Sequence, residues 1–182
     1  MSTTLNQSAP AAQAPASKDF IKFEVFPKSD SYVLTCVGYN YHPDYPFKRT
    51  DEKTKEEYIK NGPGLEFFWG AIVNGVAYFC KTWPQSYSLN EKANYYKWYE
   101  AGVGKPPIAG TKADDMVGKF YLGVVKVEDK KSAKGTAYRV STLKGVGPVP
   151  SILASAGTPL KDLLPAFEAA LAKKDEKEVA PF

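Results

Sequence analysis

The stretch LEFFWGAIVNGVAYFCKTW, residues 65–83, decides the fold. Two runs rich in β-branched and aromatic residues flank Asn74-Gly75, and this dipeptide is the strongest short signal for a β-hairpin with a two-residue turn. Such a turn fixes the register, so Phe68 is predicted to face Lys81 across the hairpin. Successive side chains then alternate between two faces of different character.

One face of this hairpin is apolar and is predicted to line the core. It carries Leu65, Phe67, Trp69, Ala71, Val73, Val76, Tyr78, Cys80 and Thr82. The other face mixes rings with charge and carries Glu66, Phe68, Gly70, Ile72, Ala77, Phe79, Lys81 and Trp83. This second face suits a single strand of nucleic acid, because bases stack on rings and an ammonium contacts a phosphate. The alternative is a second face buried beneath the next helix, and a one-residue slip in the turn would exchange the two faces.

Further strands are predicted from other runs of β-branched and aromatic residues. They are expected at 21–27, 31–41, 120–127 and 136–143. Residues 42–64 are polar, with Pro and Gly at their edges, so they predict a long functional loop with room for a helical turn at 51–60. Short strands separated by turn signals favour a small barrel or a sandwich.

An internal helix is predicted at 89–100. Ser88 and Glu91 form a capping box at its start, and Gly102 stands where a terminating residue belongs. Its aromatic face, which is expected to pack on the sheet, is formed by Tyr95, Trp98 and Tyr99.

A second helix is predicted at 158–172, near the C-terminus. Thr158-Pro159 opens it, and Pro165 is expected to kink or restart it. Its apolar stripe is formed by Leu160, Leu163, Leu164, Phe167 and Leu171. The rest of the chain is then divided into a disordered N-terminal arm at 1–17, a barrel domain at 18–157, and a flexible charged tail at 173–182.

The composition is that of a globular protein. The 182 residues, 43% of them hydrophobic and 24% charged, suit one domain that needs no disulfide or metal to hold its core. No apolar run is long enough to span a membrane, and the first residues lack the features of a secretory signal. Cys36 and Cys80 are expected to be buried reduced thiols rather than a disulfide. The net charge of +4 and the 12 tyrosines are compatible with a surface that binds a polyanion by stacking.

The residue types that catalysis requires are sparse, so no enzyme is predicted. His42 is the only histidine. No Gly-x-Ser-x-Gly motif accompanies it, so a loop histidine near water is favoured, with a dyad to Cys36 or Cys80 as the alternative. No Cys-x-x-Cys or His/Cys cluster offers a metal site, and no Walker A or Gly-x-Gly-x-x-Gly motif offers a nucleotide site. We therefore expect no cofactor and no metal.

Basic and aromatic residues elsewhere extend the predicted nucleic-acid surface. Those outside the hairpin are Tyr41, Lys48, Arg49, Lys119, Lys126, Tyr138 and Arg139. The hairpin itself adds Phe68, Phe79, Lys81 and Trp83. Rings in this set are predicted to stack on bases, and the cations are predicted to contact phosphates.

Residues 114–150 resemble a pattern found in phage-encoded single-stranded DNA-binding and replication-associated proteins. In that pattern, a Gly-Lys turn leads to a strand, a charged loop, a Gly-x-x-Tyr strand and a Val-x-Pro exit. Its places are held here by Gly118, Lys119, Gly135, Tyr138 and Pro148. The resemblance implies an OB-fold barrel, so the expected fold class is mainly β (α+β), with one internal helix and a C-terminal helix.

The last residues resemble the tip of bacterial and phage single-stranded DNA-binding proteins, which is acidic and ends in Pro-Phe. The matching residues are Asp175, Glu176, Glu178, Pro181 and Phe182. The resemblance implies a tip that places its terminal ring in a pocket of a replication or repair protein. Three lysines depart from the acidic pattern, namely Lys173, Lys174 and Lys177. The alternatives are a tail that folds back onto the domain and a tail without a role.

Together these features predict a protein that coats and protects single-stranded DNA during phage DNA replication or recombination. RNA is a second possible ligand, a homo-oligomer is compatible with the sequence, and no membrane partner is expected. The expected location is the cytoplasm, which is the host cytoplasm if a phage encodes the chain. The alternative function is a phage structural or host-interaction protein that uses the same aromatic surface for protein contacts.

Overall fold

The structure is a computed structural model that describes residues 23–132 and 135–175. Strands make up 46% and helices 23% of the described residues, so the protein is mainly β. The predicted N-terminal arm and the tail beyond Asp175 lie outside the described residues. No helix in the described ranges is long and apolar enough to cross a membrane.

A nearly closed antiparallel sheet forms the body of the molecule. Its strands are β1 (Asp30–Thr50), β2 (Glu57–Val73), β3 (Val76–Lys81), β4 (Gln85–Ser86), β5 (Phe120–Lys131) and β6 (Ala137–Gly147). The long strands follow the order β3-β2-β1-β5-β6, short β4 pairs with β2, and β3 also approaches β6. The prediction of an OB-like small β-barrel is confirmed, since the five long strands and short β4 form a nearly closed, barrel-like sheet.

The hairpin of β2 and β3 has the predicted register. Phe68 pairs with Lys81 and Val73 with Val76 across a turn in which Asn74 and Gly75 both have positive φ. A two-residue turn needs that backbone conformation to match the twist of its strands, and Asn-Gly adopts it readily. Most of the predicted core face is buried and packs around Trp69 inside the barrel, whereas Val76, beside the turn, is 45% exposed.

Helix α1 (Asn94–Val103) lies against that interior and buries Tyr95, Trp98 and Tyr99, as predicted. The predicted start at residue 89 is wrong, because the capping side chains are used in local turns. Ser88 Oγ accepts the N–H of Asn90 instead of capping the helix. The end is also later than predicted, since Gly104, with φ 81°, terminates the helix.

Helix α2 (Leu160–Asp175) covers the outside of the barrel. Pro165 lies within it, and Asp175 is its last residue, so residues 173–175 are helical rather than part of a flexible tail. Leu163 and Phe167 of the predicted stripe are fully buried against Val37, Phe68 and Phe79 of the sheet. Two short 3₁₀ helices, Ala113–Met116 and Ser151–Ala156, connect the remaining elements.

Two sequence-based assignments are wrong. Residues 42–64 form no loop, because β1 and β2 pair from Tyr45–Gly62 to Thr50–Glu57 and project from the barrel as a long hairpin. We call residues 42–64 the arm. The described part of the strand predicted at 21–27 is not in the sheet, and the N–H of Phe26 donates to the side-chain oxygen Ser141 Oγ (2.8 Å) rather than to a backbone carbonyl.

Candidate nucleic-acid interface

The predicted ring-and-lysine surface is closed where it was expected to be open. Phe68 is 1% exposed and Phe79 4% exposed, because α2 lies over them. The ring of Phe167 is centred 5.4 Å from that of Phe68 and 5.3 Å from that of Phe79. No base can reach either ring while α2 is docked, so their assignment as stacking residues is corrected to core. The cover is the C-terminal helix, whereas the sequence analysis weighed only the internal helix.

Lys81 lies on the same outer face and is already paired. Its ammonium lies 2.7 Å from Glu66 Oε1, and the other carboxylate oxygen of Glu66 accepts a hydrogen bond from Asn40 (3.2 Å). Glu66 is buried, so the lysine neutralises a charge that would otherwise be costly inside the protein. Lys81 therefore has a structural partner before any phosphate arrives.

Of the three rings predicted on the outer face of the 65–83 hairpin, Trp83 is the one that the structure leaves open. It is 76% exposed and follows β3, two residues beyond Lys81. The short strand β4 begins two residues later and pairs Gln85 with Leu65. Trp83 therefore lies where the barrel part of β2 passes into the arm.

The arm continues the outer face of β2 without interruption. The irregularities in the β1–β2 pairing lie in β1, so β2 keeps strict alternation from Glu57 to Val73. Its even-numbered residues share one face: Tyr58, Lys60, Gly62, Gly64, Glu66, Phe68, Gly70 and Ile72. The face that α2 covers at Phe68 is the face that the arm presents at Tyr58 and Lys60.

Cross-strand partners complete this face. Tyr45 pairs with Gly62, Phe47 with Lys60, and Arg49 with Tyr58, and paired residues lie on the same side of a sheet. We call the resulting set the arm strip; it consists of Tyr45, Phe47, Arg49, Tyr58 and Lys60. Three rings and two cations are therefore placed together on one side of a two-stranded ribbon.

Contacts within the strip hold the rings in order. Tyr45 and Phe47 have ring centroids 5.0 Å apart, and the guanidinium of Arg49 lies 5.6 Å from the centroid of Phe47. A Cβ on Gly64 would lie 3.0 Å from the ring of Phe47, so glycine lets that ring lie against the β2 backbone. The space above Gly62 is open.

The cations of the strip are unpaired within residues 23–132 and 135–175: neither Arg49 nor Lys60 forms an ion pair there. In the turn that joins β1 and β2 at the end of the arm, Asp51 accepts the N–H groups of Thr54 and Lys53 (both 2.8 Å). These two bonds lower the pKa of its carboxyl group. That acid is thus engaged in closing the turn. Phosphates could approach Arg49 and Lys60 without first breaking a salt bridge.

Other predicted residues near the arm lie on its opposite side. Lys48 pairs with Ile59, one residue out of phase with the strip. Tyr41 pairs with Leu65, whose side chain lines the core, so this tyrosine also faces away from the strip. Of the three predicted residues in this part of the chain, only Arg49 belongs to the strip.

The basic residues of β5 and β6 form a separate region. Strand β1 pairs with β5 only along Asp30 to Thr35. Beyond Val125, the partner of Asp30, strand β5 pairs with β6 alone. The β5–β6 hairpin thus leaves β1 at the end opposite to the arm. Tyr138 is exposed there, but both predicted cations have acidic neighbours. The contacts are Lys126 with Glu128 (2.9 Å) and Arg139 with Asp129 (3.7 Å).

Lys119 lies apart from both hairpins, at the start of β5 beside α1. Two adjoining concavities of about 490 and 420 Å³ meet there around Tyr99 and Asp115. The hydroxyl of Tyr99 donates to Asp115 (2.8 Å), and burial together with this bond raises the pKa of Tyr99 to about 12. The phenol stays protonated at neutral pH, so the pair is a structural contact.

The remaining expectations have mixed outcomes. Cys36 and Cys80 are buried and unpaired with each other, and burial raises the pKa of the Cys80 thiol to about 12. His42 lies in β1 rather than in a loop, with its ring against Tyr45 (5.7 Å). In the described ranges, no group of three His, Cys, Asp or Glu side chains is arranged to hold a metal ion. The tip residues Glu176, Glu178, Pro181 and Phe182 lie outside those ranges.

The sequence analysis did not include Tyr45, Phe47, Tyr58 and Lys60 among its site residues. The signal was present, because aromatic and basic residues alternate at 45, 47 and 49 and again at 58 and 60. Pro43, Pro46 and Pro63 made this stretch resemble a loop.

No protein-family model, no curated protein and no solved structure matches this chain.

Proposed function

We propose that this protein binds single-stranded DNA along the arm strip, with Trp83 extending the surface onto the barrel. The single observation that supports this is the placement of three rings beside two cations on one face of the arm. Tyr58 and both cations are exposed, Tyr45 and Phe47 are half-buried, and neither cation has an ion pair within the described residues. A flexible single strand can lay its bases on Tyr45, Phe47 and Tyr58 while its phosphates contact Arg49 and Lys60. Stacking contributes about 1–3 kcal/mol per base, so this set suffices for useful affinity.

The barrel supports the same proposal. OB-folds bind oligonucleotides on the face of their second and third strands and on the loop between strands 1 and 2. In this chain α2 covers the face of β2 and β3, whereas the arm occupies the place of the loop between strands 1 and 2. Binding is therefore moved from the barrel wall to the projecting hairpin. Coating of DNA during phage replication or recombination, with partners recruited by the C-terminal tip, is the role we propose.

A titration with oligo-dT, followed by tryptophan fluorescence at two salt concentrations, tests this proposal. Trp69 and Trp98 are buried, so quenching reports the environment of Trp83. We expect quenching that weakens with salt, with a slope in log affinity of about −0.7 for each phosphate contact. No quenching and no oligonucleotide binding by the protein at low salt would remove the proposal.

A pair of variants provides the matched control. Arg49→Ala and Lys48→Ala remove one positive charge each from adjacent positions on opposite faces of the arm. We expect Arg49→Ala to weaken binding severalfold more than Lys48→Ala does. Equal effects would indicate a diffuse attraction to positive charge instead of a strip. Indifference to oligonucleotides together with a stable complex with another protein would support the alternative function in phage structure or host interaction.

A further inference from the structure

The arm has one strand edge that is open to another strand. Strand β3 pairs with β2 only from Phe68 to Val73, and β4 pairs with it only at Gly64 and Leu65. Residues 57–62 of β2 therefore have β1 on one side and, among the described residues, no strand on the other. An unpaired edge presents a row of N–H and C=O groups that can template another strand.

The outward-facing groups of this edge can be identified. Pro46 has no N–H, so its pair with Asn61 is of the non-hydrogen-bonded kind, in which backbone groups point away from the partner strand. Alternation then gives Ile59 and Glu57 the same outward direction. Two bonds agree: the C=O of Pro63 accepts the N–H of Tyr87 outside the arm, and the N–H of Asp51 donates inward to Glu56.

The two edges of the arm differ in how they resist strand addition. The β1 edge carries Pro43 and Pro46, which remove donors from the row and protect it from another strand. The β2 edge has no proline from Glu57 to Gly62, and Ile59, at its centre, is 65% exposed. Only the β2 edge is built to accept a partner.

We propose that the β2 edges of two copies of this chain pair antiparallel, with Ile59 at the two-fold axis. In this register, the outward-facing residues of the two copies meet each other: Ile59 faces Ile59 of the second copy, and Glu57 faces its Asn61. By the two-fold symmetry, Asn61 also faces Glu57 of the second copy, which makes three facing pairs. Each pair can exchange two backbone hydrogen bonds, which gives about six in total.

Side-chain chemistry selects this register over its neighbours. With Ile59 at the axis, two exposed isoleucines cover one another and each Tyr58 lies opposite Lys60 of the second copy, a favourable cation–π pair. Placing Lys60 or Glu57 at the axis would instead set two like charges side by side. Placing Tyr58 there would leave each Ile59 opposite a glutamate. A second copy is therefore a better occupant than an arbitrary strand.

The pairing joins the arm strips of the two copies. Antiparallel strands in one sheet are related by a two-fold axis perpendicular to it, so both strips lie on the same side of a four-stranded ribbon. Tyr58 and Lys60 of both copies then lie at the centre of a continuous surface. The pairing itself does not depend on nucleic acid, whereas the doubled binding surface rests on the proposed function.

Sedimentation equilibrium of the full chain without DNA tests the pairing. We expect the apparent mass to rise toward twice that of one chain as concentration increases. Ile59→Lys and Ile59→Glu should each abolish the rise, because like charges would meet at the axis. An equimolar mixture of these two variants should restore it, which distinguishes a lost interface from a misfolded arm. A chain that stays monomeric throughout the titration, or a mixture that fails to associate, would overturn the proposal.

Cysteine cross-linking tests the register. Facing residues in a hydrogen-bonded pair have Cα atoms about 5.5 Å apart, within the span of a disulfide. Oxidation should link Ile59→Cys into a dimer, whereas Lys48→Cys should stay unlinked. Lys48 is the cross-strand partner of Ile59, on the same face but at the proline-bearing edge, and the natural cysteines are buried. Equal cross-linking of the two variants would contradict the register.

The two proposals fail separately. Arg49→Ala is expected to dimerise like the unmodified chain while binding oligo-dT more weakly. Ile59→Lys is expected to bind a short oligo-dT as a monomer and to lose the cooperative binding of a long one. Dimerisation without DNA binding would overturn the proposed function alone, and DNA binding without dimerisation would overturn the pairing alone.

Discussion

The barrel and the arm use the same strand in opposite ways. Along one face of β2, Phe68 is enclosed by the sheet and by Phe167 of α2, whereas no helix in the part of the chain that the structure describes lies over Tyr58 and Lys60. Both halves alternate in the same manner, and both are rich in rings. The difference is that α2 covers the barrel and does not extend along the arm. A ring in a strand therefore becomes core or exposed surface according to what packs over it.

The largest test of the enclosed region is alkaline unfolding. Burial raises the pKa of Tyr39, Tyr95, Tyr99 and Tyr121, all of which belong to the barrel and α1. In the unfolded chain these phenols ionise near pH 10. Their contribution to the free energy of unfolding is therefore fully present below that pH, and it is lost as the pH rises toward their pKa values in the folded state.

Above about pH 10, we expect the exposed phenols to ionise first, without a change in circular dichroism. The last part of the rise in tyrosinate absorbance should accompany the loss of circular dichroism, because the enclosed phenols ionise when the barrel opens. A rise in tyrosinate absorbance that involves all four of these phenols and reaches completion while the barrel remains folded would contradict the assignment of these rings as enclosed.

The next largest effect is expected at the helix that seals the barrel wall. Phe167→Ala should lower the free energy of unfolding by about 3–5 kcal/mol, because it removes a fully buried ring from between Phe68 and Phe79. Urea denaturation measures the loss. The neighbouring exposed residue supplies a control, and Glu168→Ala should change stability by less than about 0.5 kcal/mol. A small loss for Phe167→Ala would mean that α2 does not seal this wall.

A matched pair of tyrosines tests which hairpin binds DNA. Tyr58 on the arm and Tyr138 on the β5–β6 hairpin are 49% and 48% exposed, so both substitutions should leave stability nearly unchanged. Tyr58→Ala should weaken binding of oligo-dT by about 1–3 kcal/mol, the contribution of one stacked base. Tyr138→Ala should have little effect. The reverse result would move the site to the other end of β1.

The smallest expected effects separate a paired lysine from an unpaired one. Lys81→Ala should lower stability by about 1 kcal/mol, because it leaves the buried Glu66 without its charge partner while Lys81 itself is partly exposed to solvent. Lys60→Ala should leave stability unchanged and reduce the magnitude of the salt slope of DNA binding by about 0.7. Urea denaturation and oligo-dT titrations measure both quantities, and interchanged outcomes would refute the distinction between the two lysines.

Much of the barrel could be predicted because its signals are local. Asn74-Gly75 fixed the register of β2 and β3, and the apolar stripe around Leu163 and Phe167 identified the buried face of α2. The arm could not be predicted in this way. Its prolines and charges resemble those of a loop, and its strands are defined by cross-strand pairing, as between Phe47 and Lys60, rather than by a buried face.

The proposed site has residues of the kind that the sequence predicted, but at other positions. Rings beside cations on an open sheet are present, yet Arg49 is the only predicted residue that lies in the arm strip. Phe68 and Phe79 were assigned by alternation alone, and alternation separates two faces without stating which is covered.

By itself, the sequence determined the β-hairpin register, the apolar faces and the mainly β character, because turn chemistry and side-chain period act between near neighbours. Only the tertiary structure decided that α2 seals one half of an aromatic face and leaves the other half open. That choice depends on contacts between residues about a hundred positions apart, such as Phe68 and Phe167, and no local pattern records them.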